Sequence, residues 1–213
     1  SDDIASDDLE HAFTLVNPSV GGLGSWTYGY YDSGDVFAQL PTPLLDSVLH
    51  LEIWQLGATS GAVPRVVNNH KPTDKTYTNI LYPAEAFLVV RPKSDKPVVV
   101  RYTVDQAGDY RFDTTFRAAR KLRSVSALAS LEHDGVVIGD CAGAISGLVT
   151  SPAGNVLRCE DAVITLAAGE TVEFIVEANG TDLYDDVHLS VSVYATIDPD
   201  TDSDGLTDSE EAA

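Results

Sequence analysis

Near its end the chain reads Asp200-Thr201-Asp202-Ser203-Asp204-Gly205-Leu206-Thr207-Asp208-Ser209-Glu210-Glu211. Acids alternate, a glycine follows, and a glutamate falls at the twelfth place. This is the spacing of a calcium loop, D-x-[DN]-x-[DN]-G-x5-E. Ca²⁺ is a hard cation that takes about six to eight oxygen ligands, and a chain curling around it turns alternate side chains inward. Asp200, Asp202 and Asp204 would give carboxylate oxygens, Leu206 its carbonyl, Asp208 a direct or water-mediated contact, and Glu211 both oxygens. Gly205 permits the sharp turn. Calcium is therefore the cofactor these residues predict. Asp185 and Asp186 are read either as a second, structural calcium site or as a plain turn before the closing strand, the turn being preferred.

A second chemistry is sugar recognition. A pyranose packs its C–H face on an aromatic ring while amides and charged groups pair with its hydroxyls, and Tyr and Trp combine an apolar body with a polar handle. Trp54, Asn68, Tyr77, Asn79 and Tyr82 lie in or beside residues 55–85, the least regular stretch of the body. A loop of that length is often functional. Trp26, Tyr28 and Tyr30 alternate along one strand and are read as core. Catalysis is not expected. There is no Gly-x-Ser-x-Gly elbow, no His-Glu-x-x-His and no glycine-rich phosphate loop, and the five histidines are scattered. Cys141 and Cys159 are the only cysteines, and an even pair beside an extracellular-type calcium loop favours a disulfide in an oxidising compartment.

These groups must be positioned by strands, because helical periodicity is nearly absent. Alternating or continuous apolar runs recur at 26–31, 48–54, 86–90, 98–104, 110–116, 125–131, 136–138, 162–166, 172–176 and 187–193. Asp134-Gly135 between two such runs signals a hairpin. Ala168-Gly169-Glu170 marks a second expected hairpin, joining 162–166 to 172–176. Short strands at turn-marked intervals predict an all-β fold, a two-sheet antiparallel β-sandwich of jelly-roll type, followed by a short C-terminal calcium-binding loop. The organisation expected is a flexible acidic arm over 1–12, the sandwich over 13–197, and a calcium-binding linker repeat over 198–213.

The formal net charge is −20, with 33 acids against 13 Lys and Arg in 213 residues. Residues 1–10 and 198–213 together hold twelve of those acids and no Lys or Arg. Nucleic acid is excluded as an expected partner, since phosphate binding needs a basic patch. No run of eighteen or more apolar residues is present, so no membrane insertion by a helix is expected. The lack of any methionine suggests a chain that begins after a leader, as in a secreted or cell-surface protein.

Several phrases resemble known modules. Val191–Ile197 alternates like a strand and Pro199 precedes the acidic loop, so no helix frames it. The loop resembles the repeats of the thrombospondin type 3 class, which form metal-filled linkers. Asn17-Pro18, Trp26-Thr27-Tyr28-Gly29-Tyr30, Pro64-Arg65-Val66-Val67-Asn68, Ala107-Gly108-Asp109-Tyr110-Arg111-Phe112, Ala168-Gly169-Glu170-Thr171-Val172-Glu173-Phe174 and Tyr184-Asp185-Asp186-Val187-His188-Leu189 follow in order. Together they resemble secreted bacterial jelly-roll modules of the carbohydrate-binding and galactose-binding-like kind. The resemblance implies a non-catalytic secreted domain with a polysaccharide or glycan as partner. The alternative expectation is a structural or adhesive domain of a calcium-dependent cell-surface or filament protein, with protein neighbours in its place.

Overall fold

The structure is a computed structural model that describes residues 5–14, 19–20, 23–32, 35–59, 62–69, 71–84, 87–150, 156–180 and 185–197. Strands β1 (Ala5–Asp8), β2 (Ser19–Val20), β3 (Gly24–Asp32), β4 (Val36–Gln39), β5 (Thr42–Asp46) and β6 (Leu51–Gln55) form the first third, with a helical turn α1 (Leu9–Ala12). Then come β7 (Arg65–Asn69), β8 (Lys75–Tyr77), β9 (Ile80–Tyr82), β10 (Leu88–Arg91), β11 (Val98–Val104) and β12 (Gly108–Ala118). The last are β13 (Val125–His133), β14 (Val136–Gly147), β15 (Val156–Leu166), β16 (Thr171–Ala178) and β17 (Val187–Ile197).

They build an all-β sandwich of two antiparallel sheets. Sheet A runs β15-β12-β17-β10-β7-β6-β5, with β1 beside β17. Sheet B runs β14-β13-β16-β11-β3-β2, with β4 beside β3. The chain passes from one sheet to the other at β1–β2, β4–β5, β10–β11, β11–β12, β12–β13, β14–β15, β15–β16 and β16–β17, the switching expected of a jelly roll.

Alternation along the strands sets the core. In β12, Tyr110, Phe112, Phe116 and Ala118 face inward, while Arg111, Asp113 and Arg117 are only partly buried. Trp26 lies fully buried against Tyr102 and Phe174, at ring centroid distances of 4.5 and 5.8 Å. The core reading of Trp26, Tyr28 and Tyr30 therefore holds. At the β13–β14 hairpin Asp134 and Gly135 take φ of 50° and 73°, which the two-residue turn requires and Asp-Gly supplies at low cost.

The expected hairpin at Ala168-Gly169-Glu170 does not form. β15 belongs to sheet A and β16 to sheet B, so the turn bridges the sandwich instead. It is pinned by hydrogen bonds from Gly169 N to Val104 O (2.8 Å) and from Val104 N to Glu170 O (3.0 Å). The arm expected over 1–12 is, across its described part, a strand and a helical turn. Residues Ala5–Asp8 add to β17, whose edge beyond β10 offers unpaired backbone groups, and Leu9 is buried in the core. Residues 55–85 hold three strands, β7, β8 and β9, in place of one irregular loop.

Candidate functional site

On β6, β7 and β10 both faces are buried. Trp54, Val66, Leu88 and Val90 enter the main core, whereas Leu51, Ile53, Val67 and Val89 turn to the outside of sheet A. There they meet Ile80, Tyr82 and Ala119 in a second, smaller core. The cover is the β8–β9 hairpin, whose two-residue turn puts Thr78 and Asn79 at φ of 48° and 69°. Asn79 suits that left-handed conformation better than most residues, and its carbonyl accepts a bond from Lys121 N at 2.8 Å. Asn69 fastens the hairpin by donating from Nδ2 to Tyr82 O (3.0 Å) and Thr73 O (3.1 Å).

Between hairpin and sheet a cavity of about 200 Å³ remains, lined by Asp46, Arg65, Tyr77, Tyr82, Arg91 and Arg120 beside small-core apolar groups. Arg65 and Arg91 are direct cross-strand partners on the same outward face as Val67 and Val89. Like charges so placed repel. They converge on the buried Asp186. Arg120 donates from Nε to Asp186 Oδ2 at 2.6 Å, with Nη2 also 2.6 Å away. Arg65 Nη2 and Arg91 Nε lie 3.8 and 4.0 Å from Oδ1. Burial pushes the Tyr82 phenol upward, and the neighbouring Asp186 adds to that shift while the three arginines oppose it. Asp46 at the rim accepts bonds from Val48 N (3.0 Å) and Leu49 N (2.9 Å), closing its own turn.

The five residues named for sugar contact are divided by this geometry. Tyr77, 56% exposed, and Tyr82, 3% exposed, line the cavity. Asn79 sits in the hairpin turn. Trp54 and Asn68 are not available at the surface. Trp54 is buried in the main core and donates Nε1–H to Thr14 O at 3.0 Å, and Asn68 is buried on the Val66 side of β7. Strand alternation sends them away from the cavity. Arg65, Arg91 and Arg120 escaped the sequence reading, which took Asp186 for a turn or calcium residue; an arginine opening the apolar run of β7 at Arg65 and one closing that of β10 at Arg91 were usable signals.

Asp185 Oδ1 accepts a bond from Ser126 N at 3.2 Å, and Asp186 is paired with Arg120, the two acids standing just before β17. The calcium-loop residues Asp200, Asp202, Asp204, Leu206, Asp208 and Glu211 lie outside the described residues. One other metal-competent group is His133, Asp134 and Glu170, with His133 Nε2 3.7 and 4.0 Å from the two carboxylates and Nδ1 2.9 Å from Thr171 O. Cys141 and Cys159 form a disulfide between β14 and β15.

No protein-family model matches the chain, and no curated protein matches it. Among solved structures, the Stig cyclase Fisc from Fischerella sp. TAU, in complex with an indole compound, is 11% identical over 91% of this chain and 98% of that one, with a TM-score of 0.39. The GH26-CBM35 β-(1,4)-mannanase of Podospora anserina is 15% identical over 81% of this chain and 28% of that one, with a TM-score of 0.30. The exo-β-1,3-galactanase of Phanerochaete chrysosporium, with β-1,3-galactotriose, is 11% identical over 80% and 32%, with a TM-score of 0.27. Likenesses at this level carry no argument about function.

Proposed function

We propose that the protein is a secreted, non-catalytic carbohydrate-binding β-sandwich with a calcium-stabilised C-terminal loop. The observation that carries the sugar reading is the cavity over sheet A, where the exposed ring of Tyr77 stands beside Tyr82 and a floor of hydrogen-bonding guanidinium groups. An aromatic platform next to fixed polar groups is what a sugar ring needs. The non-catalytic reading is supported by Asp186, whose carboxylate is tied to Arg120 and so is poorly placed to move a proton. Secretion is supported by the disulfide, which persists in oxidising compartments. A glycan array probed in excess Ca²⁺, with Tyr77→Ala alongside, tests the proposal. The expected result is selective binding that falls by about tenfold or more in the variant, as for loss of an aromatic anchor. A blank array would end it.

The adhesive alternative has one observation in its favour. Val136, Val163 and Leu128, which are 68%, 60% and 41% exposed, border two shallow apolar grooves along β13, β14 and β15. Concentration-dependent association that is lost in Val136→Lys would favour that reading.

A further inference from the structure

We infer that His133, Asp134 and Glu170 form a binding site for a divalent transition-metal ion of the zinc class, separate from the cavity over sheet A and from the terminal calcium loop. Two turns bring the three side chains together. His133 ends β13 and Asp134 follows it in the β13–β14 turn, while Glu170 lies in the turn that carries the chain from β15 to β16. Strand pairing sets the meeting. β13 lies beside β16 with Glu132 directly opposite Glu173, so the end of β13 reaches the start of β16. One donor atom from each of the three side chains lies within 4.8 Å of the others.

The ring of His133 is already oriented for a metal. Its Nδ1 stands 2.9 Å from Thr171 O, which can only accept, so Nδ1 carries a proton and donates it. A backbone carbonyl that holds one ring N–H fixes the tautomer and leaves the other nitrogen as a ligand. That nitrogen, Nε2, is the atom beside the carboxylates, 3.7 Å from Asp134 Oδ2 and 4.0 Å from Glu170 Oε2. A direct charge-assisted bond would close to about 2.7–2.9 Å. Zinc bonds of about 2.0–2.2 Å in a tetrahedron put donor atoms about 3.3–3.5 Å apart, so an ion fits between these groups after a small turn. Asp134 can make that turn, since its side chain is 82% exposed. Glu170 is held in place by Ala167 N, which donates to Oε2 at 2.8 Å, and a carboxylate oxygen keeps a further lone pair for the metal. The donor set selects the ion. One imidazole with two carboxylates suits Zn²⁺ and its neighbours, whereas Ca²⁺ and Mg²⁺ take oxygen ligands. Three protein ligands leave a fourth position for water or another donor, at the rim of the groove that His133 and Asp134 share with Val136 and Val163.

Calorimetric titration of the chelator-stripped full chain with ZnCl₂, in excess Ca²⁺ to fill the terminal loop, tests this. One equivalent of Zn²⁺ is expected to bind, weakening by about tenfold or more in His133→Gln and in Glu170→Gln. His50→Gln, at an exposed histidine outside the group, should leave binding unchanged. In the wild type, Zn²⁺ should also shift the imidazole resonances of His133 and leave those of the buried His188 where they are, and this reading carries the test if the variants do not fold. Zn²⁺ binding that is the same in both His133→Gln and Glu170→Gln overturns the inference. So does a wild type that takes up no Zn²⁺ in the presence of Ca²⁺, or one whose His133 resonances do not move.

Discussion

His188 shows how one side chain ties stability to pH. It lies on the outward side of β17, yet it is fully buried because the β8–β9 hairpin covers it. Leu81 O can only accept, so Nε2 carries the proton and donates to it at 2.7 Å. The Phe87 ring stands 5.5 Å away and Arg117 is the direct cross-strand neighbour. Burial, with a smaller repulsion from Arg117, pushes the imidazole down to about 4 from its ordinary 6.5. Between those values the unfolded chain binds a proton that the folded protein refuses. The contribution is complete above pH 6.5 and is lost as pH falls to about 4, an effect of about 3 kcal/mol. His188→Gln can keep a donor for Leu81 O and cannot titrate. Urea unfolding at pH 7.5 and 4.5 should show the wild type losing roughly 2–3 kcal/mol more than the variant between the two conditions. Equal losses would mean that His188 does not carry this dependence.

Among the elements, β14 and β15 have the greatest need of a tie, because each ends its sheet and they lie on opposite layers. The Cys141–Cys159 disulfide joins them across 18 residues of chain. Closing a loop of that length is worth about 3 kcal/mol in the chain-entropy model. Cys141→Ala with Cys159→Ala should lower stability by about that amount, read as a lower denaturation midpoint with a somewhat steeper slope, since the unfolded chain is no longer held compact by the cross-link. A midpoint unaffected by the double replacement would show that packing of Cys141 and Cys159 into the core carries the contact alone. The pairing was legible from two cysteines in 213 residues, and the β13–β14 hairpin was legible because Asp134-Gly135 dictates its own turn. The Ala168–Glu170 turn misled, since a turn sequence fixes local direction and says nothing of which sheet receives the next strand. Trp54 and Asn68 misled for a related reason. Strands buried on both faces lose their polar-out alternation, so the inward and outward sets of β6 and β7 could not be separated without the hairpin that covers one of them. Arg65, Arg91, Arg120 and Asp186 come from four separate segments, and only the sheet order gathers them.

Across the whole molecule, charge is unevenly divided. Twelve of 33 acids lie in 1–10 and 198–213, while three arginines gather over sheet A. The resulting field repels anions, an effect confined to about 8–10 Å at physiological salt. Calcium would lower that field where it is strongest. An ion held by Asp200, Asp202, Asp204, Asp208 and Glu211 neutralises part of the terminal charge and offsets the mutual repulsion of those carboxylates. Order of 198–213 should therefore depend on the metal, while the sandwich, with its own core and disulfide, should not. Because 198–213 contains no Lys or Arg, trypsin cannot report on it. A protease that cuts after acidic residues, followed by mass spectrometry, can. Ca²⁺ should protect the 198–213 segment at least about tenfold in rate relative to EGTA, Mg²⁺ should not replace it, and Asp202→Ala should abolish protection. The thermal midpoint of the sandwich should change little under the same treatments. Equal cleavage with Ca²⁺ and with EGTA would remove calcium from the account, whereas a sandwich that unfolds on chelation would place the ion inside the fold, with the His133, Asp134 and Glu170 group the first place to look.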